Sequence, residues 1–119
     1  MRVWLTSLVF LLSAPALAGE ADVLEVDVQP STGNIFSFDV TVQHADEGWD
    51  HYADAFEVLD PDGNILATRT LYHPHVNEQP FERSLGNVTI PYGIDEVTVR
   101  ARDSVHGYGG AEITVTVPR

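Results

Sequence analysis

The chain has 119 residues, 44% of them hydrophobic, with 18 acidic and 6 basic side chains, no cysteine and a formal charge of −12. That fits one domain with one core. It excludes disulfide support and every metal site that needs thiolate sulfur, and its sign disfavours nucleic acid and anionic membrane surfaces.

Residues 1–18 read as a signal peptide. Arg2 is the positive n-region, residues 3–12 are an apolar run too short for a permanent membrane span, and Ala16 and Ala18 are the small residues before a cleavage point at Gly19. Residues 19–119 then form an exported domain, periplasmic or secreted, with no membrane insertion after cleavage. Loss of Arg2 makes the mature chain one unit more negative. The single methionine is Met1, so thioether ligation is excluded and any metal falls to imidazole and carboxylate.

Leu24, Val26 and Val28 alternate with polar residues, the period-2 pattern of a half-buried strand, and a turn cluster follows at residues 30–34. Phe36, Phe38, Val40 and Val42 form a stronger second strand, and His44 continues its inward parity to the rim of the core. An acidic loop with Gly48, Trp49 and His51 leads into a third strand, where Asp54 shares the parity of Phe56 and Val58. Asp60-Pro61-Asp62-Gly63-Asn64 is a hairpin turn. A fourth strand covers residues 65–72. In the loop 73–80 two prolines favour extended backbone, which aims His73 and His75 to the same side.

Phe81, Arg83 and Leu85 open a fifth strand, with inward Arg83 expected to pair with Asp54. Val97, Val99 and Ala101 form a sixth, with Arg100 and Arg102 on a solvated face. After a glycine-rich loop at 103–110, Ile113, Val115 and Val117 form a seventh. No segment has a helical period.

Seven short strands in this spacing indicate an all-β fold, an immunoglobulin- or fibronectin-III-like β-sandwich. With strands lettered A to G, successive loops fall at alternate ends, and the B–C, D–E and F–G loops carry all 5 histidines. Imidazole suits both copper and zinc. In the metal reading His73 and His75 are the leading ligands, His106 or His51 the third, and His44 a further one. Asp50, Asp54, Asp103 and Glu78 would accept the outer ring N–H groups. The competing reading is a metal-free module that recognises an envelope protein or small ligand through Trp49, Tyr72 and Tyr108. No catalytic residue is assigned, since no serine stands in a nucleophile-elbow motif.

Three segments, Gly48-Trp49-Asp50-His51-Tyr52-Ala53-Asp54, His73-Pro74-His75-Val76-x-Glu78-Gln79-Pro80-Phe81 and Val105-His106-Gly107-x-Gly109-Gly110, resemble those of a group of small secreted bacterial proteins whose function is not established. The resemblance implies a β-sandwich and an envelope location. It implies no activity and no cofactor.

Overall fold

The computed structural model describes residues 19–119; the signal-peptide reading falls on residues 1–18 and lies outside them. Among the described residues there are eight strands and no helix, hence no helix long and apolar enough to cross a membrane. In chain order the strands are β1 (Asp22–Pro30), β2 (Ile35–Gln43), β3 (Ala53–Leu59), β4 (Ile65–Thr70), β5 (Phe81–Thr89), β6 (Glu96–Asp103), β7 (Gly107–Tyr108) and β8 (Ile113–Thr116). One antiparallel sheet has the order β1-β2-β5 and the other β4-β3-β6-β7. β7 and β8 pair with successive halves of the same edge of β6, the edge opposite β3. The stretch 103–110, expected as an open loop, folds back on β6 instead: Arg102 pairs with Tyr108 and Asp103 with Gly107.

The two sheets meet through strands that alternate as the sequence does. β2 buries Phe36, Phe38, Val40 and Val42, while β6 buries Val97, Val99 and Ala101; Phe56 and Val58 of β3 complete the middle of the core. Each large side chain contributes roughly 1.5–3 kcal/mol by leaving water. β1 departs from its expected parity. A bulge between Val23 and Glu25 turns Leu24 outward, 46% exposed, and brings Val23 and Ala21 into the core in its place. Val26 and Val28 are only half-buried.

Both inward rows run on into polar residues. The β2 row continues to His44 just beyond the strand, and the β6 row ends in Asp103. Their side chains are buried at 3% and 0% exposure. The alternation that builds the core therefore also carries an imidazole and a carboxylate inward from opposite sheets.

The start of β1 is held by the loop before β8. The Ala111 N–H donates to Asp22 Oδ1 at 2.7 Å, and the Val23 N–H donates to the Ala111 carbonyl at 2.9 Å. Gly110 lies so close beneath that a Cβ there would come within 2.0 Å of the Ala21 carbonyl oxygen. Gly110→Ala is expected to cost about 1–3 kcal/mol, read as a lower midpoint in thermal unfolding. Gly86→Ala, with nothing within 4 Å of its Cβ position, should leave the midpoint within roughly 0.5 kcal/mol of wild type.

Candidate metal centre

Asp103 is the hub of the histidine end. It closes the turn between β6 and β7, where Gly107 takes the left-handed φ of 73° that lets three residues reverse the chain. Its Oδ1 accepts the backbone N–H of Val105 at 3.1 Å and that of His106, an Asx-type turn built from its own side chain. Its Oδ2 faces three imidazoles: His44 Nε2 at 2.8 Å, His51 Nε2 at 2.9 Å and His106 Nδ1 at 2.9 Å. Burial alone would raise the Asp103 pKa. Hydrogen bonds from the ring and backbone of His106, then from His51 and His44, outweigh it and hold the carboxyl well below the usual carboxylate range.

The outer nitrogens of two of these rings are also on carboxylates. His44 Nδ1 is 2.6 Å from Asp46 Oδ1, and His51 Nδ1 is 2.8 Å from Glu47 Oε1. The turn around Gly48 makes the second contact, because the Glu47 N–H donates to the His51 carbonyl at 2.8 Å and so brings the two residues together. Asp46 is fixed in turn. Its Oδ1 accepts the Ala53 N–H at 3.0 Å and its Oδ2 the His75 N–H at 2.6 Å. His44 and His51 meet edge to face, ring centroids 4.7 Å apart, and His51 and His106 are 5.0 Å apart.

A neutral imidazole carries one N–H and one lone pair. When His44 and His51 spend the N–H on Asp46 and Glu47, each turns its Nε2 lone pair towards Asp103 Oδ2. A lone pair facing a carboxylate is repulsive unless a positive charge lies between them. Protons or a metal ion can supply it. In the second case the arrangement is carboxylate–histidine–metal, with the outer carboxylate fixing tautomer and ring orientation. The ligand atoms of His44, His51 and Asp103 all lie within 4.8 Å of one another, so this buried group can hold a metal ion.

The five histidines divide. His44, His51 and His106 converge on Asp103, whereas His73 and His75 do not. His73 is exposed, its ring 6.2 Å edge-on from Trp49. His75 stacks on Phe81 at 4.0 Å and accepts a hydrogen bond from Arg83 Nη2 at Nε2, 2.9 Å away. Burial, then the Arg83 charge, pushes the His75 pKa down, so the ring stays neutral with its Nε2 lone pair already engaged. Its backbone serves the centre instead, through Asp46.

Asp103 moves from an expected outer acceptor to the middle of the cluster. The outer acceptors are Asp46 and Glu47, which sequence reasoning passed over. Asp46 could have been found by extending the β2 parity from His44 by two residues. Glu47 had no such signal, since its position depends on the Gly48 turn.

The remaining carboxylates lie elsewhere. Asp50 is exposed, Asp54 Oδ1 is 3.5 Å from Arg102 Nε, and Glu78 Oε1 is 3.4 Å from Arg83 Nη2. Arg83 therefore pairs with Glu78 and His75 rather than with Asp54. Arg100 is no solvated side chain either: it bonds buried Glu57 at 2.7 Å and lies 3.9 Å over the Tyr108 ring. Burial and the bond to Glu57 push the Tyr108 phenol up to about 12. Trp49 and Tyr72 are exposed at the loop end, so the three expected recognition aromatics do not share one environment.

No protein-family model matches the chain. A protein of Halomicrobium mukohataei described as "Putative lipoprotein" is 41% identical over 96 residues, covering 81% of this chain and 47% of that protein. The chain thus spans about half the length of the curated relative it matches. A superoxide reductase crystallised in the oxidised state superposes with a TM-score of 0.51, at 14% identity, over 89% of this chain and 94% of that one. The fold is superoxide reductase-like. At that identity the likeness extends to the fold alone.

Hydrogen bonds to Glu47 and then Asp103 raise the His51 pKa above its ordinary 6.5 against the effect of burial. In metal-free protein this contribution to stability is full below about pH 6.5 and is lost as pH rises through the raised value. The His51 ring followed by NMR in chelator should titrate with a midpoint above 6.5. In Glu47→Gln that midpoint should fall; an unchanged midpoint would remove Glu47 from the account.

Proposed function

We propose that this protein is an exported binder of one divalent copper or zinc ion, held by His44, His51 and Asp103 with His106 as a further ligand. The observation that carries the reading is the pair of Nε2 atoms turned to one point, each ring backed on Nδ1 by its own carboxylate. Buried Asp46 and Asp103 supply negative charge that a divalent cation offsets, and imidazole with carboxylate suits both metals. A bound ion would supply a fixed positive charge and Lewis acidity at the loop end. The chain's residues orient it, with Asp46 and Glu47 setting ring tautomers and the core below excluding water.

Export is supported by the leader-like residues 1–18 and by the description of the Halomicrobium mukohataei relative as a lipoprotein. The sheets fit an immunoglobulin or fibronectin-III sandwich when β7 and β8 are taken as halves of one broken seventh strand. Trp49 and Tyr72, exposed in the loops of the histidine end, favour a second reading in which the same end contacts a partner molecule.

Protein purified without a histidine tag, stripped and titrated with zinc or copper(II), should bind one equivalent tighter than roughly micromolar, about −8 kcal/mol. His44→Ala and His51→Ala should lose that binding, and His73→Ala should keep it. Because protons compete for imidazole, the ion should be released as pH falls through about 6. Wild-type affinity in both His44→Ala and His51→Ala would place the ion elsewhere.

A further inference from the structure

A backbone oxygen from the start of the described chain stands beside the candidate centre. The Gly19 carbonyl oxygen lies 3.0 Å from His44 Nε2, the same nitrogen that faces Asp103 Oδ2 at 2.8 Å. The segment that brings it there is anchored at several points. Ala21 is fully buried, Asp22 and Val23 are bonded to Ala111, and Gly110 leaves no room for the Ala21 backbone to shift towards it. Only Glu20 separates Gly19 from buried Ala21. Gly19 is also the residue that the Ala16-Leu17-Ala18 pattern makes the first of the processed chain.

We infer that the processed N-terminus is itself a ligand group: the free α-amine and carbonyl oxygen of Gly19 bind the same divalent cation as His44 and His51. This rests on the metal reading above. An α-amine and the carbonyl of its own residue are joined through one Cα, so together they close a five-membered ring on a cation. In the unprocessed chain the Gly19 nitrogen belongs to a peptide bond, its lone pair is delocalised into the carbonyl, and it is not a donor. Cleavage before Gly19 converts it into one, on the residue whose carbonyl oxygen already lies beside His44 Nε2. The precursor then carries an incomplete site, and the full site exists only after the leader has been removed. Metal loading at full affinity follows translocation.

Three chains test this: one beginning at Gly19, released from a cleavable amino-terminal fusion; one retaining Ala16-Leu17-Ala18 before it; and the first chain acetylated on its α-nitrogen. Each is titrated with zinc and copper(II) near pH 7.5. Equal unfolding temperatures in chelator establish that all three fold alike. The free-amine chain should bind about tenfold or more tightly than the other two. Selective ¹⁵N labelling of the Gly19 α-nitrogen should alter the nitrogen couplings in the copper(II) spectrum of the free-amine chain alone. Affinities within about twofold in all three chains, with a silent label, overturn the inference. If His44→Ala abolishes that shared binding, the metal reading stands without the N-terminus. If no chain binds either ion, both fail.

Discussion

The histidine end of the fold depends on one buried carboxylate. Asp103 is fully buried, and a carboxylate without partners there would cost several kcal/mol. It is tolerated because one oxygen accepts two backbone N–H groups and the other faces three ring nitrogens, with protons or a shared cation between them offsetting its charge. The same side chain shapes the β6–β7 turn, reaches across to His44 at the end of β2, and draws His51 down from the β2–β3 loop. Turn geometry, contact between sheets and site charge are therefore one interaction viewed from three sides.

Around that centre the loop end has two layers with different jobs. Asp46, Glu47 and the His75 backbone hold the inner rings in place and share no exposed surface of their own chemistry beyond Glu47. His75 itself is kept neutral by burial and by Arg83, a cation that would repel a second one nearby. Trp49, Tyr72 and His73 are exposed, and the Trp49 and His73 rings lie edge to face 6.2 Å apart. The separation explains how a chain with so many acidic groups can concentrate a few of them on imidazoles while leaving most of the others to the solvent.

Much of this could be read from the sequence, because strand parity is a strict rule. The rows of Phe36 to Val42 and Val97 to Ala101 identified the core-facing positions, and the clustering of five histidines at one end follows from strand order. The same rule applied two residues further along β6 would have put Asp103 inward; treating 103 as loop hid it. The bulge near Leu24 was not legible, since one extra residue flips a strand's faces without changing its composition. The prominence of His73-Pro74-His75 misled for a related reason. Proline stiffens the backbone but does not say what the rings will meet, and here Phe81 and Arg83 meet His75 before any histidine does.

The strict alternation of β6 has one more consequence. Asp103 and Arg102 are neighbours on opposite faces of the strand, the first turned to His44 and the second to Asp54 on the outside. A slip of one residue in the pairing of β6 with β3 would exchange those faces and set a guanidinium where the carboxylate belongs. Val97, Val99 and Ala101 would turn out to water in the same movement. The sign of the charge at the centre is thus locked to the register of the sheet, and a misregistered chain would set a cation where a metal ion or protonated rings need a negative group.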